Sequence, residues 1–342
     1  MFDLKAFLPK NKRVLVISAA PFDGDSLASG TILTKYIQSL GFETLHYFPR
    51  EISAKEKEFL GWLPYFEEIT FGDTRQFFEK GKDSTTLVTV DGRDKIQFYD
   101  YKNEKLPPPD FTNISTILRM HHHTLPDNDI TKNLVGGAEY SSTSEVILTH
   151  IIPREFINHQ LANCGYAGIV DDTGNFQWNF TSQTLSVASW LCTFGIDAPS
   201  ISSWVMHVRD EEFYKALSYA VERIHYYPEI RTILLPLSKE EQIKDKLTPE
   251  FNKSLIAAFN TELAKRIRGY DRGILLLEQD KHVKVTGRGQ STNKISLAEL
   301  LRPVGSLGKG HFNATDFETK QDFGPIEQKI IKVVKRALWV DS

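Results

Sequence analysis

The sequence predicts an α/β protein in which a doubly wound parallel sheet domain is followed by a smaller α/β domain. Three observations predict this class. Short apolar, β-branched runs alternate with helical patterns, as they do in a parallel sheet covered by helices. Acidic residues and histidines follow directly on several of these runs. The length of 342 residues exceeds what a single hydrophobic core usually spans.

Four predicted strands define the first domain. The run at 14–18 (VLVIS) is short, mostly apolar and β-branched, which is typical of a strand buried on both faces of a parallel sheet. Similar runs predict strands at 43–48, 86–90 and 113–120. The first helical pattern ends at Gly41, a residue that commonly terminates helices. The predicted helices are 26–40, 142–152, 184–195 and 201–227.

The pattern restarts after Pro228 and predicts a second domain. The segment 201–227 is long and amphipathic, so we expect it to bridge the two domains as a helix. The boundary is therefore predicted between Gly195 and Pro228. Beyond it, the predicted elements are a strand at 232–237, a helix at 249–268, paired strands at 272–278 and 282–287, and a glycine-rich segment at 305–310.

The composition excludes some classes of function. A net charge of −3 is inconsistent with a protein that coats long nucleic acid through bulk electrostatics, but it is compatible with a small anionic substrate. The two cysteines, Cys164 and Cys192, form no CxxC pair, which is typical of a reduced cytoplasmic setting. No apolar run has the length needed to cross a bilayer. We therefore expect a soluble, cytoplasmic protein with no membrane partner.

Carboxylates follow two of the predicted strands. Asp23 and Asp25 are separated by one glycine between a strand and a helix, and Asp91 follows the strand at 86–90. Carboxylates without soft ligands suit Mn²⁺ or Mg²⁺. The alternative is an Asp-Gly turn with helix-capping aspartates. Because ligands bind beyond the carboxyl ends of strands in open α/β sheets, the first interpretation predicts that these side chains converge.

Further candidates come from three other segments. His121, His122 and His123 follow the strand at 113–120, where three imidazoles suit a metal or phosphate site better than a core. Asp172 precedes Gly174 in a segment that an Asx-type turn also explains. In the second domain, a guanidinium and a basic glycine-containing loop could hold phosphate oxygens, or could be ordinary surface residues; these are Arg288, Gly308, Lys309, Gly310 and His311.

The order of these motifs resembles that of the DHH phosphoesterases with a DHH-associated C-terminal domain, the nanoRNase and pAp-phosphatase-like proteins. The resemblance covers nearly the whole chain and rests on the segments APFDGDSLASG, VTVDGRD, MHHHTLPDN, YSSTSEVI, YAGIVDDTGNF and GSLGKGHFNA. It implies a catalytic domain at 1–195, a helical linker at 196–228 and a substrate-binding domain at 229–342. It also implies an active site in the cleft between the domains.

The resemblance implies two Mn²⁺ ions, with Mg²⁺ or Co²⁺ as alternatives, that share a bridging Asp91. Asp25, His122 and Asp172 would complete one ion site, and Asp23 would belong to the other. His123 would face the phosphate. The substrate contacts of the second domain would be Arg288 and the loop from Gly308 to His311.

Two departures from the family pattern concern the second ion. Ala19 stands where the family has a metal-binding histidine, and His121 stands where the third motif has an aspartate. We expect the two changes to compensate, with His121 reaching the ion that Ala19 cannot bind. The alternative is one good ion site and one weak site.

The sequence therefore predicts a metal-dependent phosphoesterase that hydrolyses short oligonucleotides or small nucleotides through an activated water, with Asp91 and His123 as its catalytic residues. Its expected partner is that substrate and not long nucleic acid. The sequence leaves open whether the protein forms a homodimer. Two rivals remain: a nucleotide-binding protein that has lost catalysis, and an inorganic pyrophosphatase-like hydrolase.

Overall fold

The structure, a computed structural model, describes residues 2–9, 13–79, 85–103, 105–125, 130–206, 209–290, 295–306 and 312–340. Residues 338–340 are described by their backbone only. It divides into two compact units, Met1–Val208 and Arg209–Ser342. In the described part of the chain, no helix combines the length and the apolar character that crossing a bilayer requires.

The first unit contains a six-stranded sheet whose paired strands are all parallel, as the alternating pattern predicts. Its strands are β1 (Arg13–Ser18), β2 (Thr44–Phe48), β3 (Thr70–Phe71), β4 (Thr85–Val90), β5 (Ile117–His121) and β6 (Leu134–Gly136). Their order is β3-β2-β1-β4-β5-β6. The direction of winding reverses between β1 and β4, and α/β sheets bind ligands beyond the strand ends at such a point.

Helices cover one face of this sheet, and irregular segments cover the other. Val16, Val88 and Leu118 pack on the helical side, which includes Leu27 and Ile147. On the opposite side, Leu15 and Leu87 pack against aromatic residues of short 3₁₀ segments, such as Phe98. The helices of this unit are α1 (Leu4–Phe7), α2 (Gly24–Ser39), α3 (Ala54–Leu60), α4 (Thr143–His150), α5 (His159–Thr173), α6 (Ser182–Cys192) and α7 (Ala198–Met206).

The second unit contains a mixed five-stranded sheet. The strands are β7 (His225–Tyr227), β8 (Thr232–Leu237), β9 (Arg272–Glu278), β10 (Val283–Gly289) and β11 (Ala314–Thr319). Their order is β11-β10-β9-β8-β7, with β8 and β9 parallel and the other pairs antiparallel. The helices are α8 (Glu211–Arg223), α9 (Lys239–Lys244), α10 (Pro249–Ala258), α11 (Leu297–Leu300) and α12 (Phe323–Val340).

Some predicted element boundaries are wrong. The segment 201–227 is not one helix, because the Asp210 side chain accepts from the Phe213 N–H at 2.9 Å and begins α8 anew. Arg288 lies within β10 rather than after it. His121 is the last residue of β5, where it pairs with Gly136 of β6. Strand β6 has three residues, too few for its hydrophobic pattern to predict it.

A buried histidine makes the first unit sensitive to acid. His46 Nε2 lies 2.8 Å from Ser18 Oγ, and burial lowers the pKa of His46 from 6.5 to about 3. Between pH 6.5 and pH 3 the unfolded state therefore binds a proton at His46 that the folded state does not. The free energy of unfolding is highest above pH 6.5 and falls by about 1.4 kcal/mol per pH unit as the pH decreases towards 3. We expect His46→Gln to be less stable at pH 8 and to lose this pH dependence. Urea unfolding of the wild type and the variant between pH 8 and pH 4 measures the difference. Plots of unfolding free energy against pH that run parallel for the two proteins would contradict this prediction.

Candidate metal centre

The start of α2 presents two aspartates. Asp23 caps the helix, and its Oδ1 accepts from the Ser26 N–H at 2.8 Å. Asp25, in the first turn, is fully buried. Its two carboxylate oxygens accept from the backbone N–H groups of Thr143 at 2.6 Å and Ser144 at 2.9 Å. The N-terminus of α4 therefore fixes Asp25, as helix termini commonly fix carboxylates.

Asp91 lies at the end of β4 with its backbone in the left-handed region, at φ 61°. Its N–H donates to the carbonyl of Met120 at 3.0 Å, which continues the pairing with β5 for one residue. Its Oδ1 accepts from Thr143 Oγ1 at 2.9 Å. Helix α4 therefore contacts both Asp25 and Asp91.

His122 connects Asp91 with Asp172. Its Nε2 lies 3.3 Å from Asp91 Oδ1 and 3.1 Å from Asp172 Oδ2, which belongs to the last turn of α5. A hydrogen bond to the backbone of Tyr140 also holds the imidazole. Metal-binding histidines commonly use one ring nitrogen for the ion and the other for such a contact.

Four predicted residues form one group of potential ligands. Single atoms of Asp25, Asp91, His122 and Asp172 all lie within 4.8 Å of one another. A second, overlapping group consists of Asp91, His122 and His123. The residues of the first group come from four separate segments of the chain. Their side chains are therefore brought together by the tertiary fold and not by closeness in sequence.

The carboxylates of this group oppose one another's ionisation. Burial raises the pKa of Asp172, and the charges of Asp25 and Asp91 raise it further. Burial and Asp25 also raise the pKa of Asp91. Burial lowers the pKa of His122, but its contact with Asp91 outweighs this, so that the net shift is upward. A cation bound among these groups would relieve the repulsion.

The donor set fits a divalent ion. It combines three carboxylates with one imidazole, which suits manganese and related first-row metals. Within the part of the chain that the structure describes, Asp172 Oδ2 is buried and accepts no hydrogen bond, although it faces His122. Buried acceptors are usually satisfied, so this oxygen suits a ligand position.

Some known proteins have sequences similar to this chain. The chain is 24% identical over 269 residues to the cyclic-di-AMP phosphodiesterase GdpP of Bacillus subtilis, covering 76% of the chain and 39% of that protein. It is 24% identical over 186 residues to the probable bifunctional oligoribonuclease and PAP phosphatase NrnA of Streptococcus mutans, covering 53% of the chain and 52% of that protein. No family model matches the sequence.

A solved structure shares the fold. An exopolyphosphatase-related protein from Bacteroides fragilis superposes with a TM-score of 0.74 at 21% identity, covering 95% of this chain and 92% of that one. These sequence relatives and the shared fold support the resemblance of the chain to the DHH phosphoesterases. The chain spans about half of the NrnA relative and less of GdpP.

The residues that the sequence predicts for a second ion lie less close together in this structure. Asp23 and His121 belong to neither ligand group, and Ala19 is buried in an apolar cluster. His121 Nδ1 lies 3.0 Å from the carbonyl oxygen of His123. Burial and the nearby charge of Arg119 lower the pKa of His121 to about 4, so that it is neutral at pH 7.

In the second unit, the predicted substrate residue Arg288 forms contacts within its own sheet. Its Nη1 donates to Asp316 Oδ2 at 2.8 Å and to the Gly287 carbonyl at 2.9 Å. Its role towards a substrate stays a prediction. The other four predicted contacts lie outside the described residues: Gly308, Lys309, Gly310 and His311.

Three features of the site were not predicted from the sequence. Thr143 and Ser144 contribute backbone N–H groups, and Gly24 donates its N–H to Asp171 Oδ2 at 2.5 Å. A Cβ at Gly168 would overlap Ser144 Oγ, so glycine permits α5 to approach α4. The capping pattern Ser-Thr-Ser-Glu, which begins at Ser142, indicates the start of α4 and could have revealed its role.

Proposed function

We propose that this chain is a metal-dependent phosphoesterase that hydrolyses small nucleotides or short oligonucleotides. The observation that supports it is the compact group of Asp25, Asp91, His122 and Asp172 at the switch point of a parallel sheet. A divalent ion, Mn²⁺ in the first instance, would supply Lewis acidity and lower the pKa of a water molecule. The names of two relatives, a cyclic-di-AMP phosphodiesterase and an oligoribonuclease with PAP phosphatase activity, support the substrate class.

The side chains of the group divide the work in this proposal. Asp25, Asp91, His122 and Asp172 hold the ion, with Asp91 placed centrally. His123 lies beside them, with Nδ1 3.9 Å from Asp91 Oδ1, and is assigned to hold a phosphoryl oxygen of the substrate. The N–H groups at the start of α4 keep the Asp25 carboxylate oriented.

The number of ions is a separate proposal. A second ion would use Asp23 and Asp91, with His121 in place of the imidazole that Ala19 lacks. The hydrogen bond from His121 Nδ1–H to the carbonyl of His123 would leave Nε2 with a lone pair. Equilibrium dialysis against Mn²⁺ tests this: we expect two ions per chain and one in His121→Ala. A single ion that is unchanged in the variant would refute the compensation.

A nucleotide-binding protein without catalysis is the rival function that a specific observation favours. Ala19 is buried among apolar side chains, and His121 lies outside both ligand groups. A panel of pAp, short RNA and DNA oligomers, cyclic dinucleotides and pyrophosphate, each with Mn²⁺, Mg²⁺ and Co²⁺, separates the alternatives. We expect turnover of a nucleotide ester. Tight nucleotide binding without turnover would favour the rival, and turnover of pyrophosphate alone would favour the pyrophosphatase.

Metal binding is expected to stabilise the first unit. An ion present at 100 times its Kd adds about 2.7 kcal/mol to the free energy of unfolding. For a unit of this size we expect a rise in Tm of about 5–10 °C on adding Mn²⁺. Thermal melts with EDTA and with Mn²⁺ measure the change. Asp172→Asn should lose most of it, because that variant removes one ligand; an equal shift in the variant would place the ion elsewhere.

A further inference from the structure

An arginine is buried behind the metal centre. Arg119, in β5, has no exposed surface. Its neighbours Leu118 and Met120 face the layer of α2, α4 and α5, so strand alternation places Arg119 on the opposite face of the sheet. Burying a guanidinium is costly unless it forms strong contacts, and an aliphatic side chain would fill this position without that cost. The contacts of Arg119 therefore indicate its role.

These contacts converge on the residue after Asp91. Arg119 Nη2 donates to the carbonyl oxygen of Gly92 at 2.6 Å. The guanidinium also lies over the ring of Phe98, 5.3 Å from its centroid. The same ring presses on Gly92, where any Cβ would overlap it. Arg119 and Phe98 thus hold the Gly92 peptide from the side of the sheet away from the ligands.

The turn at Asp91 has a conformation that needs such support. Asp91 has a φ of 61°, in the left-handed region that L-residues adopt at a cost. This backbone directs its carboxylate towards His122 and Thr143. The Gly92 carbonyl belongs to the next peptide, Gly92–Arg93. A shift of this carbonyl would change the backbone torsion angles at Gly92 and, through them, move the Asp91 carboxylate relative to Asp25 and Asp172.

We propose that Arg119 is a positioning residue for Asp91, holding the Asp91–Gly92 turn through the Gly92 carbonyl so that the Asp91 carboxylate faces the ion. The proposal rests on the proposed function for the identity of the ion. The restraint on the turn itself holds in the metal-free protein.

Three variants test this positioning role. Arg119→Met removes the donor but keeps much of the apolar stem, and Arg119→Lys keeps a cationic donor. Leu87→Ala is the matched control, because Leu87 is buried in the layer on the same face of the sheet and belongs to β4. Mn²⁺ affinity is measured by calorimetry on the full chain. Amide hydrogen exchange of Asp91, divided by that of Val14, is measured without metal, since these amides donate to Met120 and Glu43.

We expect Arg119→Met to weaken Mn²⁺ binding by about 10–100-fold, as loss of an outer contact to a metal ligand typically does. Arg119→Lys should recover most of the affinity, and Leu87→Ala should stay within about twofold of the wild type, since it leaves the hydrogen bond from Arg119 to the Gly92 carbonyl in place. The exchange ratio should rise most in Arg119→Met, less in Arg119→Lys and not in Leu87→Ala. Wild-type affinity in a folded Arg119→Met, or an equal loss in Leu87→Ala, would overturn the proposal.

Two further outcomes keep the test decisive. If Arg119→Met does not fold, Arg119→Lys and Phe98→Leu take its place: a smaller loss of affinity and a raised exchange ratio are expected, and unchanged values would overturn the proposal. If the wild type binds no Mn²⁺, the proposed function fails. The exchange ratio then decides whether Arg119 restrains the turn, and an unchanged ratio would reject that role as well.

Discussion

Asp91→Asn is expected to weaken Mn²⁺ binding more than about 100-fold, beyond the usual cost of losing an outer-shell partner, and to abolish turnover of nucleotide esters. Asp91 belongs to both ligand groups and contacts His122, His123 and Thr143. An amide offers one neutral oxygen in place of a carboxylate that could contact two ions. Calorimetry with Mn²⁺ and hydrolysis assays with the best substrate of the panel measure both effects.

The same variant should not destabilise the metal-free protein. Burial and the charge of Asp25 raise the pKa of Asp91, so that keeping it ionised in the folded state costs free energy at neutral pH. Removing the charge removes that cost, and we expect Asp91→Asn to be as stable as the wild type or more stable in EDTA. Asp94→Asn is the control, since Asp94 is exposed and caps a 3₁₀ turn. If Asp94→Asn lost as much activity as Asp91→Asn, the loss would be caused by a change in the loop and not by removal of a metal ligand.

The sheet could be predicted from the sequence because its strands are buried on both faces. Short runs rich in β-branched residues at β1 and β4 distinguish such strands from the helices around them, and glycine marks the end of α2. The irregular layer over the second face could not be predicted, since Phe98 and its neighbours lie in short 3₁₀ segments without a hydrophobic period. The break between α7 and α8 was missed because apolar residues continue at helical spacing on both sides of it.

The site was only partly visible in the sequence. Asp25, Asp91 and His122 follow strands, so the convergence of strand ends predicted them as neighbours, and the structure brings them together. Asp172 lies on helix α5, where strand ends give no information, and only the resemblance to a family connected it with the others. Backbone donors such as the Thr143 N–H carry no signature of residue type, and the contact of Arg119 with Gly92 depends on tertiary packing.

Gly168→Ala is expected to lower both stability and metal affinity. A Cβ there would overlap Ser144 Oγ and lie 2.7 Å from Asp25 Oδ1, a closer approach than real Cβ atoms show. The Ser144 hydroxyl can rotate, but two backbone N–H groups fix the Asp25 carboxylate. Helix α5 must therefore move away from α4 and from the start of α2, at about 1–3 kcal/mol as is usual for overpacking.

The loss of metal affinity distinguishes this effect from ordinary overpacking. Gly165, one turn earlier on α5, provides the matched control, because a Cβ there would meet the methyl end of Leu148 at 2.8 Å, and that side chain can move. We expect Gly165→Ala to lose some stability and to bind Mn²⁺ like the wild type, whereas Gly168→Ala should lose affinity as Asp25 and Asp172 move apart. Urea unfolding in EDTA and calorimetry with Mn²⁺ measure the two quantities separately. If both variants lost stability but neither lost affinity, the close packing of α5 against α4 would serve the fold alone, and the ion would not depend on the position of Asp25.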